Sequence, residues 1–103
     1  MSITKITSEE DFEDKVLDNE GKCLVIFTVK HCTPCEEIGK AAEKLCEEMP
    51  EKQIFTVDCS RLEGFRERYG IKGFPTSSAY SNGEQKASKL GLISRTALKE
   101  LLS

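Results

Sequence analysis

The sequence has no tryptophan, a single histidine and only three prolines among its 103 residues, and other absences narrow its class further. No apolar run approaches the roughly 20 residues that span a bilayer; the longest, Cys23 to Phe27, is far shorter. Met1-Ser2-Ile3-Thr4-Lys5-Ile6, followed by the acids Glu9, Glu10 and Asp11, has neither the basic start nor the apolar core of a secretion signal. A cytoplasmic protein away from membranes is expected. There is no excess of cations: 15 Lys and Arg against 18 Asp and Glu give a net charge of −3. Nucleic acid is therefore not expected as a partner. Repeats, low-complexity tracts and linkers are also missing, so residues 1–103 are expected to form one domain.

Five cysteines stand out in so short a chain. Their number is odd and no secretion signal accompanies them, which argues against a disulfide scaffold and for catalytic or redox use. Tetrahedral zinc takes four ligands, usually as two paired knuckles. Here Cys23, Cys46 and Cys59 are isolated and His31 stands alone, so no metal or other cofactor is expected; a metal site shared between chains stays as a lesser alternative.

The apolar pattern gives an order of elements. Ser8 is placed to cap a helix running to about Asp18, with Phe12, Val16 and Leu17 on one face. Cys23 to Val29 is nearly all apolar and rich in β-branched residues, as in a strand covered on both faces. Ile38, Ala41, Ala42, Leu45 and Met49 then recur at helical spacing before Pro50. Gln53 to Asp58 alternates as a strand, and Ser60 is expected to cap a helix buried through Leu62, Phe65 and Tyr69. Thr76 to Ser81 and Glu84 to Leu90 form a hairpin across Asn82-Gly83. Ser94 caps a last helix with Leu98, Leu101 and Leu102 inside. The fold class is α/β with a mixed sheet.

Within that order, Cys32-Thr33-Pro34-Cys35 falls where a buried strand meets a helix. A thiol there lies near unpaired backbone N–H groups and the positive end of the helix dipole, which favour its thiolate. Pro34 suits the first helical turn, where an N–H is dispensable. Cys32, the more exposed thiol, is expected to attack a substrate disulfide, and Cys35 to resolve the mixed disulfide.

Leu24-Val25-Ile26-Phe27, the Cys32–Cys35 motif, Val57-Asp58, Tyr69 to Thr76 (YGIKGFPT), Asn82-Gly83-Glu84 and the Gly91 region together resemble the thioredoxin family over nearly the whole chain. The resemblance implies a thioredoxin-like fold, a central mixed sheet flanked by four helices. It implies a cis peptide bond before Pro75, and a docking surface formed by His31, Thr33, Pro34, Phe74, Pro75 and Gly91. The backbone ahead of Pro75 would pair with a substrate peptide as an added strand. Protein disulfides would be the substrates and an NADPH-dependent thioredoxin reductase the electron donor. The chain is expected to act as a monomer.

Several residues depart from the family pattern. His31 stands where thioredoxins carry tryptophan, replacing a flat apolar contact with an ionisable ring. Thr33 replaces glycine. The buried aspartate and lysine near the dithiol correspond to Ile26 and Ile54; losing both together avoids stranding one buried charge, but leaves Cys35 without its usual proton acceptor. Glu36 and Glu37 bring negative charge beside the pair, and Gly39 falls near a family proline. Thr76 to Tyr80 is poor in large apolar groups for a central strand, which suggests modest stability or repacking by Phe55, Phe65 and Phe74. Cys23, Cys46 and Cys59 fit best as small core hydrophobes, Cys59 being the most exposed candidate. Two other functions stay open: a more oxidising oxidoreductase or isomerase, and a binding module with little turnover.

Overall fold

The computed structural model describes residues 3–103. Its elements, in chain order, are β1 (Thr4–Ile6), α1 (Glu9–Phe12), β2 (Lys22–Thr28), α2 (Thr33–Glu48), β3 (Gln53–Asp58), α3 (Phe65–Arg68), β4 (Thr76–Ser81), β5 (Glu84–Leu90) and α4 (Arg95–Leu101). The five strands form one sheet in the order β1-β3-β2-β4-β5. β1, β3 and β2 run parallel, while β4 is antiparallel to both β2 and β5. The mixed sheet with four helices expected from the family resemblance is thus present.

Alternation along the strands divides the core. Val25, Phe27, Phe55 and Val57 face one side with Phe12, Val16 and Phe65; Leu24, Ile26 and Ile54 face the other with Ile38, Leu45 and Leu98. Phe12 anchors the first side. Its ring lies 5.1 Å from Phe65 and 5.0 Å from Tyr69, both edge-on, and burying such a ring contributes about 1.5–3 kcal/mol.

Local chemistry explains most boundaries. Ser8 Oγ accepts from Asp11 N–H at 3.0 Å and Ser94 Oγ from Ala97 N–H at 3.1 Å, so both expected caps form. Asn82 and Gly83 both have positive φ, 53° and 77°, as a tight hairpin turn of this type requires. Gly83 has a second constraint: a Cβ there would lie 2.2 Å from the Leu17 carbonyl oxygen.

Four expectations need correction. β1 lay hidden because Thr4-Lys5-Ile6 is short and two-thirds exposed; its pairing with Phe55, Thr56 and Val57 creates it. β2 starts at Lys22 and ends at Thr28, leaving Val29 outside. After α1 the chain widens into a π turn over Glu13–Leu17. Ser60 caps no helix. Asp58 Oδ1 instead accepts from Ser60 N–H at 2.9 Å and opens a 3-10 turn, Cys59–Arg61, while Ser60 Oγ accepts from Lys30 N–H at 2.7 Å. α3 is a single turn entered through Gly64, whose φ of 75° suits glycine.

Thr76 to Tyr80 is fully internal. Ser77 and Ser78 are 0% exposed. Ser78 Oγ bonds Ser88 Oγ at 3.2 Å, but Ser77 Oγ is buried without a hydrogen-bond partner. Phe55 and Phe65 fill the aromatic side and Phe74 packs against it.

Candidate active site

Three chain segments meet at one end of the sheet because of strand register. Phe27, near the end of β2, pairs with Thr76 at the start of β4, and Thr76 pairs with Leu90 at the end of β5. The loop after β2 carries His31 and Cys32, the loop before β4 carries Phe74 and Pro75, and Gly91 follows β5 directly. Gly91 N–H donates to the Pro75 carbonyl at 2.8 Å, locking the last two together.

Cys32 and Cys35 form a disulfide with a Cα–Cα distance of 5.2 Å. The sequence produces this geometry through the helix start. Cys32 has extended backbone angles (φ −128°, ψ 104°) and is the N-cap of α2, with Pro34 in the first turn. Its Sγ accepts from Cys35 N–H at 3.2 Å. Cys32 is partly exposed, whereas Cys35 is only 6% exposed. The residue before them turns sharply: His31 has a φ of 56°, in the left-handed region where histidine is tolerated better than most side chains. His31, Thr33 and Pro34 are all exposed, as are Glu36 in the first turn and Glu37 just after it.

The Phe74–Pro75 peptide bond is cis. Pro75 is buried, and Phe74 is half-buried beneath the Arg66 guanidinium, 5.4 Å from its ring centroid. Gly91 is partly exposed with a φ of 94°. It is flanked by Leu90 and Leu92, the two large apolar residues that stand out as exposed, at 63% and 49%. Sequence reasoning gave Gly91 but missed this apolar pair, although two leucines around one glycine were a usable signal. It also missed Arg66, whose position in a helix pattern gives no hint of what its side chain reaches.

Ile26 and Ile54 both lie in the apolar cluster beneath α2, at 0% and 4% exposure. Among the described residues no buried carboxylate or amine replaces them there. Ile26 is opposite Thr56 on one side and Ser77 on the other. Of the remaining cysteines, Cys23 and Cys46 are buried and Cys59 is partly buried; burial pushes Cys23 up to about 11. Burial, reinforced by the Asp58 charge, pushes Cys59 up to about 12, although it is the least buried of the three, as expected. Cys46 is 3% exposed within the α2 and α4 side of the core. Among the described residues no group of three or more His, Cys, Asp or Glu is arranged to hold a metal ion, and no helix is long and apolar enough to cross a membrane.

Known proteins share this architecture. Thioredoxin C-2 of Corynebacterium nephridii is 34% identical over 100 residues, covering 95% of this chain and 93% of its own. The thioredoxin of Rickettsia bellii (strain RML369-C) is 28% identical over 97 residues, covering 93% and 92%. The solved Plasmodium falciparum thioredoxin superposes with a TM-score of 0.85 at 27% identity, over 97% of this chain and 96% of that one. The thioredoxin family model matches residues 3–103. With its cysteine pair at disulfide distance, this chain belongs to the thioredoxin family and is a protein disulfide oxidoreductase.

Proposed function

We propose that reduced Cys32 is the nucleophile and Cys35 the resolving thiol of a protein-disulfide reductase. The observation that carries this assignment is the asymmetry of the pair: Cys32 is a partly exposed residue whose Sγ accepts a backbone N–H at the α2 N-terminus, while Cys35 is buried. A helix N-terminus favours the thiolate over the thiol. The Cys32 thiolate attacks one sulfur of a substrate disulfide, forming the mixed disulfide and expelling the other substrate sulfur as thiolate. Cys35, deprotonated, then attacks Cys32 Sγ, releasing the second substrate thiol and leaving the Cys32–Cys35 disulfide. Two electrons pass to the substrate.

His31, Thr33, Pro34, Phe74, Pro75 and Gly91 are proposed as the docking surface, with Leu90 and Leu92 as its apolar rim. Phe74 would supply the main-chain pairing, since its neighbour Pro75 has no N–H and the Pro75 carbonyl is already engaged by Gly91. A single domain working as a monomer in the cytoplasm, with no cofactor of its own, would be recharged by an NADPH-dependent thioredoxin reductase.

The test is reduction of insulin disulfides, first with dithiothreitol and then with NADPH and a thioredoxin reductase. Turnover with both donors, abolished in Cys32→Ser, is expected. Equal rates for wild type and Cys32→Ser would overturn the assignment. Equilibration of the pair with glutathione distinguishes a reductant from an oxidant.

A further inference from the structure

The segment between α3 and β4 has no strand beside it, so side chains must set its shape. Arg66 does most of this. Its Nε donates to the Ile71 carbonyl at 2.9 Å and its Nη2 to the Lys72 carbonyl at 2.8 Å. Its own carbonyl accepts from Ile71 N–H at 2.9 Å, and its guanidinium covers the Phe74 ring. One side chain thus reaches three of the four residues that lead into Pro75. A guanidinium is suited to this because its donors form a rigid planar fork and its face stacks on aromatics; a lysine ammonium has neither property.

The remaining groups of the segment are held by others. The Gly73 carbonyl accepts from Thr76 Oγ1 at 2.6 Å, and the Pro75 carbonyl from Gly91 N–H at 2.8 Å. The carbonyls of residues 71, 72, 73 and 75 are therefore all engaged. Among the described residues, the backbone N–H and C=O of Phe74 have no such partner. The N–H groups of Lys72 and Gly73 are likewise without one, so Phe74 is the residue of this frame that offers both a free donor and a free acceptor.

We infer that Arg66 is a positioning residue for protein substrates: it fixes the 71–74 segment so that the Phe74 backbone is presented, already ordered, to an incoming extended peptide. This inference rests on the proposed docking role of the Phe74–Pro75 edge. Pre-ordering acts on binding, because a segment that is already held has less freedom to lose when the peptide arrives. It does not act on the sulfur chemistry at Cys32. The class of ligand that benefits is a disulfide within an extended polypeptide, and a small disulfide without a backbone gains nothing.

The experiment compares wild type, Arg66→Met and Arg66→Lys with a peptide disulfide, the same peptide N-methylated at the amide flanking its cysteine, and a small aromatic disulfide. Arg66→Met is expected to raise KM for the peptide roughly 5- to 10-fold, the loss appropriate to about one ordinary net hydrogen bond, with kcat within about two-fold. Arg66→Lys should fall between, and the rate with the small disulfide should stay within about two-fold. N-methylation should raise the wild-type KM but add little in Arg66→Met, because the two changes remove the same advantage. If methylation impairs wild type while Arg66→Met keeps the wild-type KM, the role of Arg66 is overturned and the docking edge stands. If methylation leaves wild type unaffected, the docking edge itself is overturned, and the inference with it. A fall with the small disulfide matching that with the peptide would assign Arg66 to the fold alone.

Discussion

Cys35 N–H donates to Cys32 Sγ at 3.2 Å, so the more exposed residue of the pair also closes the N-terminus of the helix that carries the buried one. Position and chemistry are linked in this contact. Whatever keeps Cys32 at the N-cap keeps its sulfur next to the orphan donors and the positive end of α2, where a thiolate formed on reduction would be favoured.

That linkage should make the thiols sharply unequal. In the reduced protein at about pH 8, Cys32 is expected to take up iodoacetamide first, since thiolate fraction and access govern the rate. Cys23 and Cys59, pushed up to about 11 and about 12, should stay protonated and unlabelled in the folded state. Mass spectrometry after timed quenching reads this out. Cys59 labelled as fast as Cys32 would contradict it.

The pairing of Ile26 with Ser77 gives a prediction about the missing carboxylate. Ile26→Asp places an unpaired carboxyl in an apolar cluster and should destabilise by about 3–5 kcal/mol. Ser77→Ala alone should stabilise by about 1 kcal/mol, because it removes a buried hydroxyl that has no partner. In the Ile26→Asp background the sign should reverse, as the Ser77 hydroxyl becomes a donor to the new carboxylate. Urea unfolding of the four proteins checks the cycle; strict additivity would rule out the contact.

Asp58 supplies a pH dependence. Burial pushes its carboxyl up, but the Ser60 backbone and hydroxyl, with the charges of Lys30 and Arg61, outweigh this and leave it below its ordinary value. A depressed folded-state value means that the contribution is complete above the unfolded value, about 4 for an aspartate, and is lost as pH falls through the folded one. The urea midpoint of wild type should therefore exceed that of Asp58→Asn at about pH 6, and the gap should close as the pH falls through the lowered folded-state value. Asp58 is exposed, so the gap should be small and shrink with salt. A gap that widened in acid would contradict the assignment.

Much of the fold was legible because local signals agreed with it. Gln53–Asp58, Thr76–Ser81 and Glu84–Leu90 form over the ranges their patterns predict, and Ser8 and Ser94 cap as their positions demand. β1 was not legible, since three residues with one buried carry no periodicity, and only β3 makes them a strand. Ser60 misled because a capping residue and a turn residue look alike; its hydroxyl went to Lys30 N–H. At the site, the cysteine pair and Pro75 could be named from spacing and resemblance, and the left-handed turn at His31 could not. Arg66 lay beyond reach for another reason. Its partners are carbonyls, which every residue has, so no sequence pattern marks them.

The central claim is that Cys32 attacks and Cys35 resolves. Cys35→Ser, reduced and mixed with a peptide disulfide, leaves the attack intact and removes the release, so the intermediate should accumulate. The account predicts a stoichiometric adduct on Cys32, found by intact mass and peptide mapping under non-reducing conditions, and none in Cys32→Ser. An adduct on Cys35 in Cys32→Ser, formed as fast as that on Cys32, would contradict it.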